Sequence, residues 1–190
     1  MHANVDVVRV TQEHLPSIAS VSNEAIRTTA ANFNTAPESL EHWQHEWERT
    51  HQQFPWLVSL AHDSRVTGFA KASAYKGRCA YNWTPEVTVY VDPAHHRQGV
   101  GRSLYQMLLH LLRLQGYNTC VAGITIPNDA SEGLHAALGF RKIGVLHRAG
   151  WKFGAWHDVA YWQRQLQEEG WEPGSIRTVD EVWNAAQIRK

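Results

Sequence analysis

The chain has 190 residues, 43% of them apolar and 19% charged, which fits one soluble domain with a sizeable core. Lys and Arg together number 18, as do Asp and Glu, so the formal charge is zero and no general attraction to nucleic acid or an acidic membrane is expected. No run approaches the roughly 18 uninterrupted apolar residues of a membrane span, and the start MHANVDVVRV lacks a secretory pattern, so the cytoplasm is the expected location.

Val5 to Val10 alternates loosely and predicts a short first strand. A helix opens near Thr11 or Glu13, with Leu15, Ile18, Ala19, Val21 and Ile26 at helical spacing. The polar loop from Thr28 to Pro37 carries one aromatic, Phe33. Leu40, Trp43 and Trp47 then predict a second helix. Trp56–Leu60, Val66–Ala74 and Glu86–Val91 read as strands. Gly99 to Gln115 predicts a long helix with Leu104, Met107, Leu108, Leu111 and Leu112 on one side and Gly116 as C-cap. Thr119–Ile126 is a strand, Ala130–Leu138 a short helix, and Phe140–Leu146 and Val159–Leu166 are closing strands around a Gly- and Trp-rich connection. A further helix is expected near Asp180 to Arg189. Strands, helix, strand, helix, strands is the order of a mixed α/β domain. Cys79 and Cys120 form no CxxC or zinc-ligand spacing, and both read as buried thiols.

The most informative stretch runs from Val87 to Tyr105, where a strand enters a basic, glycine-containing turn that opens the long helix. The first turn of a helix has unpaired N–H groups and a dipole that favours anions. Gly99 and Gly101 remove side chains where a ligand would approach, and Arg97 and Arg102 add positive charge. The Walker and dinucleotide glycine patterns are both absent. A diphosphate cradle of another type and a purely structural glycine turn both remain open on these residues alone.

The segment His96-Arg97-Gln98-Gly99-Val100-Gly101 resembles the acyl-CoA pyrophosphate loop of the GNAT acetyltransferase superfamily, Gln/Arg-x-x-Gly-x-Gly/Ala, with His96 departing from the usual first residue. Four further blocks resemble the phosphinothricin and methionine sulfoximine acetyltransferase branch: Asn32 to Thr35, Arg78 to Glu86, Asn128 to Phe140, and Gly150 to Val159. The resemblance covers roughly residues 5 to 166. It implies a domain over 1–166 with a mixed central sheet, a splayed strand pair and flanking helices; residues 167–190 lie outside it and read as a C-terminal extension that carries the last helical pattern.

The resemblance also implies the chemistry: transfer of an acetyl group from acetyl-CoA to the amino group of a small amino acid analogue, without a metal, in a homodimer. The acceptor amine is mostly protonated at neutral pH, so a proton acceptor is needed. Glu86 is the first candidate, although on sequence alone it reads equally as a solvent-facing strand carboxylate. His135 is the second, with helix packing as its alternative. Arg97 to Ser103 (through Gln98, Gly99, Val100, Gly101 and Arg102) would hold the diphosphate, while backbone groups of Val89, Tyr90 and Val91 and the carboxamide of Asn128 would hold the pantetheine arm. Phe33, Arg78 and Tyr81 would form the acceptor pocket, with Arg78 pairing an acceptor carboxylate. Tyr105 and the tryptophans Trp151, Trp156 and Trp162 read as packing or subunit contact. Two alternatives stand beside this reading: an acetyltransferase for another small amine, and a non-catalytic acyl-CoA-binding protein on the same fold.

Overall fold

The computed structural model describes residues 5–187. The chain begins with β1 (Asp6–Arg9), a 3-10 turn at Gln12–His14, and two helices, α1 (Leu15–Thr28) and α2 (Leu40–Thr50). Next come β2 (Trp56–Leu60), β3 (Val66–Ala74) and β4 (Pro85–Val91), then α3 (Val100–Gln115), β5 (Thr119–Ile126) and α4 (Asp129–Ala137). The hairpin β6 (Arg141–Lys152) and β7 (Ala155–Gln165) precedes a last helix, α5 (Val179–Gln187). The strands form one sheet in the order β1-β2-β3-β4-β5-β7-β6.

Helices cover both faces of the first half of this sheet, which is why β2 and β3 read as nearly continuous apolar runs. Strand alternation separates two cores. Leu57 and Ala70 pack with α3, whereas Trp56, Val58 and Phe69 pack with α1 and α2. Leu104, Leu108, Leu111 and Leu112 of α3 are fully buried, as their spacing predicts. Ser39 starts α2 by accepting the His42 N–H, and Gly116, with φ of 94°, ends α3. Among the described residues no helix is long and apolar enough to cross a membrane.

Three expectations change. The Gly- and Trp-rich connection is strand: β6 and β7 continue to a two-residue turn at Phe153 (φ 50°) and Gly154 (φ 73°), with Trp151 paired to Trp156. A turn with φ positive at both positions matches the twist of a hairpin. Both tryptophans are about half exposed, so no inside–outside alternation marks the strand. Cys79 is exposed on the β3–β4 loop, and only Cys120 is buried. The last helix starts at Val179 and joins the α3 core through Val182 and Ala186; the expected end at Arg189 lies outside the described residues.

Candidate active site

Every neighbouring strand pair is antiparallel except β4 and β5, which run parallel and register at one pair, Glu86 with Val121. Beyond that pair the strands diverge, giving the splay expected from sequence. Two cavities meet in the opening. One, of about 1190 Å³, lies along β4, β5, the loop before α3, and α4. The other, of about 680 Å³, lies under α2, the α1–α2 loop and β6–β7. Glu86, Thr88, Tyr90, Gly123 and Thr125 wall both.

The larger cavity is built around the α3 N-terminus. Its first helical hydrogen bond runs from the Ser103 N–H to the Gly99 carbonyl (3.0 Å), leaving the amides of Val100, Gly101 and Arg102 with no helical acceptor. Arg97 (φ 61°) and Gly99 (φ 86°) are left-handed, and such alternation gathers successive N–H groups into an anion-binding concavity. At 99 the conformation requires glycine. At 101 an added Cβ would meet the Leu134 side chain at 3.2 Å. Arg97, Arg102, His95 and His96 surround this turn. Unpaired amides and nearby cations fit the diphosphate of an acyl-CoA.

His96, the departure from the usual loop sequence, has Nε2 3.0 Å from the Val91 carbonyl. Since a carbonyl only accepts, Nε2 carries the proton, and the imidazole ties the loop to the end of β4. The Asp92 N–H donates to Thr67 on β3, so by strand alternation the backbone groups of Tyr90 and Thr88 also face β3. The edge left open by the splay therefore offers the Val89 N–H and carbonyl and the Val91 N–H. This corrects the expectation for Tyr90: its backbone belongs to the sheet, and its side chain is a cavity wall. Two loop residues also depart from expectation. Gln98 folds back to donate to the Ala94 carbonyl (3.1 Å), and neither it nor Ser103 walls the cavity. Asn128 does wall it, but its carboxamide oxygen caps α4 by accepting the Ser131 N–H (3.1 Å). Its NH2 end is what remains to donate.

Glu86 lies at the junction of the two cavities. The position a Cβ would take on Gly123 is 3.9 Å from its Oε1, so glycine on β5 leaves room for the carboxylate. Burial pushes its pKa up, opposed by the charge of Lys76. His135 is buried against the rings of Tyr105, Phe140 and Trp162. Its Nδ1 is 2.7 Å from the Ser131 carbonyl, so Nδ1 donates and Nε2 is left with a lone pair and no protein partner. Burial lowers its pKa, partly offset by that hydrogen bond. Burial thus favours the uncharged imidazole, which stands at the wall of the larger cavity. Tyr105 is buried in the α3 core and walls the same cavity.

The smaller cavity contains Phe33, as expected, but not Arg78 or Tyr81. Arg78 precedes, and Tyr81 ends, a 3-10 turn on the β3–β4 loop. There Arg78 is exposed and Tyr81 packs edge-on against Tyr75 at 5.8 Å. Instead the cavity holds a pair that the sequence reading missed, Lys71 of β3 ion-paired to Glu46 of α2. The Lys71 ammonium lies 4.5 Å from the Trp56 ring centroid and 5.2 Å from that of Trp43, within cation–π range. Lys71 registers with Thr88 and Ser73 with Glu86, which places Lys71 and Glu86 on one face of the sheet. A lone lysine in the apolar run of β3 was the available signal, since a charge on a buried strand needs a partner. Among the described residues no three His, Cys, Asp or Glu side chains group as metal ligands.

Residues 18–140 match the model of the acetyltransferase (GNAT) family. A phosphinothricin N-acetyltransferase of Streptomyces viridochromogenes is 39% identical over 94% of this chain and 96% of its own. An L-methionine sulfoximine/L-methionine sulfone acetyltransferase of Pseudomonas paraeruginosa is 35% identical over 80% and 89%. The crystal structure of a GNAT superfamily phosphinothricin acetyltransferase from Sinorhizobium meliloti, in complex with acetyl-CoA, superposes with a TM-score of 0.86 at 29% identity, covering 90% of this chain and 94% of that one. The splayed β4–β5 pair, the glycine turn before α3 and these likenesses agree: the chain belongs to the GNAT acetyltransferase family.

Proposed function

We propose that this N-acetyltransferase moves the acetyl group of acetyl-CoA to the amino group of a small amino acid analogue of the phosphinothricin, methionine sulfoximine or methionine sulfone type, with Glu86 as general base. The observation that carries this reading is the position of Glu86 at the opening where the two cavities meet. A carboxylate there reaches an amine presented from the smaller cavity, and its raised pKa brings its basicity closer to that of the amine. Glu86 takes the ammonium proton and frees the nitrogen lone pair. Acetyl-CoA supplies the acetyl thioester; the N–C bond forms, the C–S bond breaks, and the sulfur takes up a proton. The open edge of β4 and the amides at the α3 N-terminus orient the donor. The Nε2 lone pair of His135 supports a second proton-accepting or positioning role.

The protein acts in the cytoplasm as a homodimer. Support for the dimer comes from exposed apolar side chains at the outer end of the sheet, among them Ile143, Leu146, Trp151 and Trp156. In this dimer we assign Arg78 and Tyr81 to the partner's acceptor cavity, since both are exposed on the β3–β4 loop and neither lines the cavity of its own chain.

The test is release of CoA thiol from acetyl-CoA with phosphinothricin, methionine sulfoximine, methionine sulfone and a panel of other amines and peptides, with product mass read in parallel. Acceptor-dependent release with an acetyl mass gain for the amino acid analogues is expected. Turnover confined to other amines would replace the acceptor class, and acetyl-CoA binding without turnover across the panel would favour a binding protein. Sedimentation, with an R78A variant assayed beside it, tests the dimer: a monomeric, fully active protein, or an unchanged acceptor KM in R78A, removes that part of the reading.

A further inference from the structure

The loop between α1 and α2 crosses from one cavity to the other. Thr29 and Ala30 wall the larger cavity, Ala31 walls both, and Asn32, Phe33 and Asn34 wall the smaller. The far end of the loop is tied to α1 by Asn23, which donates to the Glu38 carbonyl (2.9 Å) and accepts the Glu38 N–H (2.8 Å). Within the crest, residues 31–33, the loop's own bonds reach only two positions: the Ala31 N–H donates to Thr29 Oγ1 (3.2 Å) and Asn32 Oδ1 accepts the Asn34 N–H (2.8 Å). Tyr90 approaches it from the sheet, its hydroxyl 3.4 Å from the Ala31 carbonyl and beside the Asn32 side chain.

What holds the crest is a residue distant in sequence. Lys152, the last residue of β6, is 5% exposed. Its ammonium donates to the Ile26 carbonyl (2.7 Å) and to the Asn32 carbonyl (2.6 Å). Ile26 lies in the last turn of α1, where unpaired carbonyls favour a cation. The same strand supplies a seat for the next residue: a side chain at Gly150 would run into the Phe33 ring. Charge-assisted hydrogen bonds of this length are among the stronger ones a side chain makes, and a buried ammonium persists only where such acceptors meet it.

We propose that Lys152 is a positioning residue for the acceptor: it latches the α1–α2 loop to the β6–β7 hairpin and so fixes the wall formed by Asn32 and Phe33. This rests on the smaller cavity being the acceptor site. Lys152 touches no reacting atom, so the chemical step itself should survive its loss.

The experiment compares wild type, K152M, F33A and the double variant, all as full-length chains, with the best amino acid analogue as acceptor. K152M is expected to raise the acceptor KM about tenfold or more, as suits loss of hydrogen bonds from a charged donor. The acetyl-CoA KM and kcat should change far less. Because both changes act on one wall, K152M should add little to F33A, a non-additivity that a general loss of stability does not produce. K152Q keeps one donor and serves if K152M does not fold; a smaller rise in acceptor KM is expected. Equal rises in both substrates' KM, fully multiplicative effects with F33A, or an unchanged acceptor KM in K152M (or in K152Q where K152M does not fold) would each overturn the proposal. A wild-type protein that acetylates none of the analogues would instead defeat the underlying acceptor reading.

Discussion

The two cavities meet at Glu86 yet are made differently. The donor side draws more of its walls from Val87 to Tyr105 than from any other stretch, with Ala122 to His135 second, and that first stretch works through backbone: an open strand edge, a left-handed turn and the amides of a helix start. The acceptor side collects side chains from the α1–α2 loop, α2, β3, β5 and the β6–β7 hairpin. Backbone recognition needs only a local conformation, which many side chains allow. Side-chain recognition needs distant segments brought together, and a change of one residue alters what is bound.

The sharpest way to break this division is at the junction. E86Q should lower kcat by about 10²–10⁴, the usual worth of a general base. The carboxylate is the active form, and burial raises its pKa. Activity in the wild type should therefore climb with pH through a midpoint above the ordinary carboxylate range, and this limb should vanish in E86Q. A pH–rate profile checks both, and an E86Q variant retaining the limb would move the base to another group. On the donor side, G99V forces a β-branched residue into a left-handed conformation. It should weaken acetyl-CoA binding about tenfold by calorimetry while the acceptor KM stays put, since strain of this kind is worth roughly 1–2 kcal/mol.

The acceptor side should respond in the opposite sense. K71M leaves Glu46 partly buried and unpaired. It should cut kcat/KM several-fold, roughly what loss of one charged hydrogen-bond donor costs, and more for acceptors whose side chains end in oxygen than for methionine. Acetyl-CoA affinity should not move, and equal losses for all acceptors would confine Lys71 to packing. The smallest effect concerns the thiols. Cys79 is exposed, while burial pushes Cys120 up to about 12. A maleimide should label native protein once and unfolded protein twice, read by intact mass; labelling should leave the donor KM unchanged.

The same division explains what could be read from the chain. β2, β3 and β5 were legible to the residue because apolar, β-branched runs between turn formers mark buried strands. The glycine turn before α3 was legible because its parts are neighbours in sequence, and its role as a donor loop entered by resemblance. Lys71 was not, since its partner Glu46 lies 25 positions earlier, nor was Lys152, which meets carbonyls 126 and 120 positions away. The hairpin tip escaped because its large apolar residues, Trp151 and Trp156, are exposed while the buried position is a lysine, Lys152, so the usual apolar-inside alternation is inverted there. Arg78 and Tyr81 entered by resemblance, and one copy of the chain does not bring them to the cavity.

The last helix has a consequence for biosynthesis. Val179 (1% exposed), Val182 (0%) and Ala186 (3%) close the side of the sheet covered by α3, and Asp180 reaches back to Arg9 beside β1. The first strand and the last helix thus depend on one another, although the chemistry is encoded between them. A nascent chain cannot seal this core until Ala186 has left the ribosome. A premature stop between Leu166 and Val179 would release a polypeptide that carries both cavities' candidate residues, Glu86 and His135 among them, and still displays an apolar face to the cell's proteases.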